Sequence, residues 1–121
     1  VKPIVKIMKR LIYSKLLENE PNNLEYLEVY IDALLHLERH EELIEKLNVF
    51  EDNVGVNEYL SMMKVDIYNM LGDRDNVTKE IEKLSNAFPY DTRYLSMLAT
   101  VYNQSGREKD AYEIYLEIKD H

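Results

Sequence analysis

Cysteine is absent from the 121 residues, and with it go disulfides, thiolate nucleophiles and thiolate metal sites. Redox chemistry therefore does not distinguish cytoplasm from periplasm, and both compartments stay open. Glycine and proline are scarce, three of each, which removes most of what interrupts a helix. Tryptophan is missing and phenylalanine occurs twice, so aromatic packing falls to ten tyrosines. No apolar run approaches the roughly 20 residues that a membrane span needs. The first segment, interrupted by Lys6, Lys9 and Arg10, lacks a signal-peptide core. Because it begins with Val, the chain reads as an excised or processed piece of a longer protein, its targeting signal out of view.

What is present is 45% hydrophobic and 31% charged residues, enough for one ordinary helical domain and too little for two independent cores. A net charge of −8 argues against nucleic acid, whose phosphates call for Lys and Arg. The charge is uneven. Lys2, Lys6, Lys9, Arg10 and Lys15 give residues 1–17 a charge of +5 and leave −13 for the rest. That start reads as the solvated face of one helix, with a docking patch for an acidic surface as the alternative.

Helical periodicity runs through the chain. Ile4, Met8, Leu11, Ile12 and Leu16 recur at three and four, after Pro3 and before Pro21. Asn22 or Asn23 can cap a second helix with Leu24, Leu27, Ile31, Leu34 and Leu35 on its buried side. A third carries Leu43, Ile44, Leu47 and Phe50. After turn chemistry around Gly55, a fourth helix is predicted from Glu58 to about Leu71. A fifth follows over roughly 75–87, a sixth, capped by Asp91 or Thr92, runs to about Ser105, and a seventh goes from Glu108 to about Asp120.

These helices repeat. The turn positions Glu38, Gly72 and Gly106 lie 34 apart, as do the breaks Pro21, Gly55 and Pro89. Leu34, Tyr68 and Tyr102 stand four residues before the turns, and Leu47, Ile81 and Tyr115 nine after them. In this spacing and order of residues the chain resembles the tetratricopeptide repeat family. The last repeat carries the resemblance best: Leu95, Leu98-Ala99, Tyr102, Gly106, Ala111 and Tyr115, after Pro89, fall on motif positions. Small Ala99 and Ala111 would let two helices approach, with Tyr102 and Tyr115 filling the wedge beside them. The second repeat is looser, with Ser61, Lys64, Val65 and Val77 at positions the family fills otherwise. There Tyr59-Leu60-Ser61-Met62-Met63 mirrors Tyr94-Leu95-Ser96-Met97-Leu98 at an offset of 35, which implies an early start or a bulge in helix four.

The resemblance implies an all-α, right-handed superhelical solenoid of antiparallel helix pairs, about seven helices in one domain. It divides into a lone second helix over 3–20 and repeats over 24–57, 58–91 and 92–121. It also implies a partner groove lined by the first helix of each pair. Carried over by position, the groove comprises Glu25, Glu28, Val29, Asp32 and His36, then Tyr59, Met62, Met63, Asp66 and Asn69, then Arg93, Ser96, Met97, Thr100 and Asn103. Glu28 and Asp32 would repel the chaperone carboxylates that some members clamp, so a basic or amphipathic segment is the expected ligand.

Catalysis is not expected. The sequence has no nucleophile motif, no phosphate-binding glycine loop and no carboxylate pair that stands out from an acidic surface. His36, Glu38, His40, Glu41 and Glu42 have a metal-like composition, but a helix break between the histidines makes them read as turn residues. No cofactor or metal is expected. Most of the five Met and ten Tyr should be core, with Met62, Met63, Met70 and Met97 as exceptions. The expected function is a protein-interaction scaffold. The alternatives are a spacer or self-association segment using its end helices, Tyr112, Leu116 and Ile118 being left uncovered, or the regulatory arm of a larger enzyme or sensor.

Overall fold

Three helices of thirteen residues begin 34 residues apart, each behind an Asn or Asp whose side chain accepts a hydrogen bond from the first turn. They belong to an all-α helical-repeat fold of seven helices among the residues described by the computed structural model, 3–120. Lys2 of the basic run and His121 lie outside them. The chain divides into two compact units, Val1–Gly55 and Val56–His121.

The first unit holds α1 (Ile4–Asn19), α2 (Leu24–His36) and α3 (His40–Val54). Connections of three and four residues leave room only for antiparallel neighbours, so α2 packs on both α1 and α3. Its core is Leu17, Leu27, Ile31, Leu34, Leu43, Leu47 and Phe50. Tyr13 of α1 meets Tyr26 of α2 edge to face at 5.7 Å between ring centres. Glu42 ties the three helices together. It accepts two hydrogen bonds from Arg10 of α1 (2.7 and 2.8 Å) and one from the Tyr30 hydroxyl of α2 (2.9 Å).

The second unit holds α4 (Glu58–Met70), α5 (Arg74–Ala87), α6 (Thr92–Gln104) and α7 (Glu108–Lys119), each packed on the next. Val65, Val77, Ile81, Leu98, Ala99, Tyr102 and Ala111 form its core, with Met62, Tyr68, Met97, Val101 and Ile114 against it. Ala99 and Ala111 are almost fully buried, which fits the close helix approach expected of small residues.

The turns inside the pairs are the same turn three times. Glu38, Gly72 and Gly106 take φ of 56°, 70° and 77°, the left-handed conformation. One residue later the amides of Arg39, Asp73 and Arg107 donate to the carbonyls of Leu34, Tyr68 and Tyr102 at 2.8–2.9 Å, closing each helix with a six-to-one bond.

Several expectations change. Helix four neither starts early nor bulges: α2, α4 and α6 start at 24, 58 and 92 and end at 36, 70 and 104, all 34 apart. The 35-residue echo is a likeness of side chains, while Asn57 caps the backbone at 34. Tyr115 does not fill a wedge; it is half exposed, because α7 packs on α6 through Ala111 and Ile114. Leu24 is also half exposed, one residue after its cap. On α1 the buried residue is Leu17, and the stripe from Ile4 to Ile12 faces solvent.

Candidate interaction face

The face expected to bind a partner lies on α2 in the first unit and on α4 and α6 in the second. Corresponding positions along these helices share one burial pattern. Glu25, Tyr59 and Arg93 are exposed, as are Asp32, Asp66 and Thr100. Val29, Met63 and Met97 are half-buried. Glu28 and Ser96 are exposed, whereas Met62 is half-buried because it rests on the core of its unit. Asn69 and Asn103 are exposed near the helix ends. The pattern follows from three equal helices that bury the same opposite side.

Within the first unit Glu25 and Glu28 project from α2, but Asp32 is engaged. Its carboxylate accepts a hydrogen bond from Lys6 of α1, and that bond chiefly holds its pKa below the usual carboxylate value. The His36 Nδ1 lies 2.8 Å from the Asp32 carbonyl. The negative charge offered outward is therefore carried by Glu25 and Glu28, a pairing that sequence spacing alone does not reveal.

Within the second unit the α6 residues are partly committed to their own helix. Arg93 is anchored by Asp91 at 2.8 Å, lies 3.6 Å from Glu58 of α4 and sits 5.3 Å over the Tyr94 ring. Asp91 chiefly raises its pKa above the ordinary arginine value. The Thr100 hydroxyl donates to the Ser96 carbonyl at 3.0 Å. Asn69 lines a small hollow of about 80 Å³ with Arg74, Val77, Thr78, Val101, Gln104 and Ser105. Ser96, Asp66 and Asn103 remain the outward polar groups of α4 and α6.

Two features escaped sequence reasoning. Lys64 of α4 is wholly buried and pairs with Glu80 of α5 at 3.1 Å, and Glu80 also receives Lys83 at 3.0 Å. The only signal was a lysine standing where the repeat has leucine. The other is the α5–α6 turn, where Phe88 and Tyr90 stand exposed beside Pro89 and Arg93 around a wide, open hollow.

Ser61 precedes Lys64 by three residues, but its hydroxyl is fully buried, where no substrate can reach it. Among the described residues no group of three His, Asp or Glu stands close enough to hold a metal ion. In the same set no helix is long and apolar enough to cross a membrane.

No family model matches the sequence, and no curated protein matches it. Solved structures do. A MamA fragment from Desulfovibrio magneticus RS-1 superposes with a TM-score of 0.62 over 92% of this chain at 14% identity. A second MamA structure gives 0.58 over 85% at 19% identity. The chain spans 63% and 60% of those two chains. At such identities the likeness speaks for the fold alone, the all-helical arrangement described above.

Proposed function

We propose that the chain is a protein-interaction scaffold, without chemistry of its own, that holds a peptide or helical segment of a partner along the first helices of its pairs. We take it as one module, a lone helix followed by three tetratricopeptide-like repeats. The observation that carries this reading is a burial pattern repeated on each of α2, α4 and α6, helices of equal length that expose their residues at positions 25, 59 and 93 and at 32, 66 and 100. Half-buried Val29, Met63 and Met97 would supply apolar contact beneath exposed polar groups, and methionine adapts to varied partners. The acidity of Glu25, Glu28 and Asp66 favours a basic or amphipathic ligand.

A library of displayed fifteen-residue peptides would test it. Selected binders should be enriched in Lys and Arg alternating with apolar residues. Their affinity should fall at least tenfold on Glu28→Lys with Asp66→Lys, with melting unchanged. Binders indifferent to those changes would move the site off this face, and failure to enrich any would argue for a spacer.

A further inference from the structure

α1 turns two cations toward its neighbours, and the fold holds them differently. Arg10 meets Glu42 of α3 through two bonds of 2.7 and 2.8 Å, with both side chains about three-quarters covered and the Tyr30 hydroxyl donating to the same carboxylate. Lys6 meets Asp32 of α2 through one bond, and the Asp32 side chain is 51% exposed. A forked guanidinium on a shielded carboxylate is costly to displace, whereas a single ammonium on a half-wet one is not. Lys6 is therefore the exchangeable cation of α1.

Asp32 also stands in the stripe along which the proposed partner would lie. Glu28 is one turn before it on α2 and His36 one turn after it, and both are exposed. Half-buried Val29 lies on the same helix within a turn of Asp32. An acidic stripe that favours a basic segment thus already carries a cation of its own chain on one carboxylate. Glu25 and Glu28 are left to meet the partner directly.

We infer that Lys6 is a built-in competitor of the partner at Asp32: a cation of the partner gains this carboxylate only by displacing Lys6. Lys6 thereby lowers the affinity of the face for basic segments and shifts recognition to Glu25 and Glu28. This inference rests on the partner-binding reading above. An exposed ion pair is worth little, so the competition is shallow and reversible, and its removal should be felt as a change of about threefold in affinity.

Fluorescence anisotropy of a labelled fifteen-residue peptide alternating Lys and Leu, titrated with the whole chain at about 0.15 M salt, tests this. Lys6→Met should tighten binding about threefold, and Lys6→Gln should do the same, both with unchanged circular dichroism. Lys6→Arg, which keeps a cation on Asp32, should match wild type. Lys15→Met removes the same charge from an exposed place on α1, so it measures the general effect of charge and should change affinity less than about 1.5-fold. In an Asp32→Asn background the Lys6→Met gain should shrink to that of Lys15→Met. Binding that Glu28→Lys weakens but Lys6→Met leaves unchanged would overturn the inference and spare the partner-binding reading. So would a Lys6→Met gain no larger than that of Lys15→Met, or one that persists in the Asp32→Asn background. Binding indifferent to Glu28→Lys, or no binding by any variant, would overturn both.

Discussion

The α4–α5 and α6–α7 pairs follow the same backbone plan and fill it with opposite chemistry. Lys64 and Leu98 stand 34 residues apart, each in the middle of a thirteen-residue first helix and each buried. Leu98 joins the apolar core with Ala99 and Tyr102. Lys64 cannot, and carries its ammonium to Glu80 instead. Tyr30, at the same place in α2, takes a third course and sends its hydroxyl to Glu42. Position in the repeat thus decides burial, and the side chain must then find whatever compensation burial demands. Dehydrating an ion pair costs several kcal/mol, so the Lys64–Glu80 pair need not stabilise its hairpin more than leucine stabilises the other.

Breaking one partner should expose that difference most sharply. Glu80→Leu alone leaves Lys64 buried without its carboxylate and should cost about 3–5 kcal/mol in chemical denaturation. Lys64→Met with Glu80→Leu should return to within about 1 kcal/mol of wild type or exceed it. A double variant as unstable as the single one would show that the pair is worth more than the apolar core that replaces it.

The apolar hairpin should respond to truncation instead. Tyr102→Ala should cost about 3 kcal/mol, whereas Tyr115→Ala, half exposed on α7, should cost less than about 1 kcal/mol. Burial and the bond to Glu82 push the Tyr102 hydroxyl up to about 12, so its ionisation in an alkaline absorbance titration should lag behind the ordinary value of 10.0.

In the first unit the corresponding weak point is Glu42. Hydrogen bonds from Arg10, then from Tyr30 and Arg39, bring its pKa down from 4.5 to about 2. A lowered pKa means that stability is present above the unfolded value and is lost as pH falls from about 4.5 towards 2. Glu42→Gln should cost about 2 kcal/mol at neutral pH. The deficit should vanish near pH 2; a deficit independent of pH would show that the loss is not one of charge.

The smallest effect should come from the turns. Glu38 adopts the left-handed conformation that Gly72 and Gly106 occupy in the other two pairs. Glu38→Gly should therefore gain about 0.5 kcal/mol, and Gly106→Ala should lose about 1 kcal/mol, since an added Cβ meets nothing and only the backbone is strained. Equal melting temperatures would mean that Glu38 recovers the strain elsewhere.

Much of the architecture was legible because its signals are local. Pro21, Gly72, Pro89 and Gly106 interrupt the apolar period, and capping residues sit next to the helices they start. The register of α4 was ambiguous because Tyr59-Leu60-Ser61 resembles Tyr94-Leu95-Ser96, and a string of side chains is weaker evidence than a cap and a turn. The half exposure of Tyr115 was illegible for a different reason: a motif position says which residue type packs well there, not which side of α7 meets α6, and here Ala111 and Ile114 make that contact. Along the candidate face, exposure was legible from the repeat at Glu25, Asp32, Asp66 and Thr100 but not at Met62, which rests on the core of its unit. The engagement of Asp32 by Lys6 and of Arg93 by Asp91 and Glu58 was not, since Asp32 and Lys6 stand on different helices, and so do Arg93 and Glu58.

By itself the sequence determined seven helices and the 34-residue return of their turns, because helix starts and stops depend on a few neighbouring backbone groups. Tertiary structure alone decided that Lys64 is buried and Tyr115 half exposed. It also decided that Glu42 joins three helices and that the stripe from Ile4 to Ile12 on α1 faces solvent. Those outcomes depend on which surfaces meet, and burial is a property of the pair in contact, not of either strand of sequence.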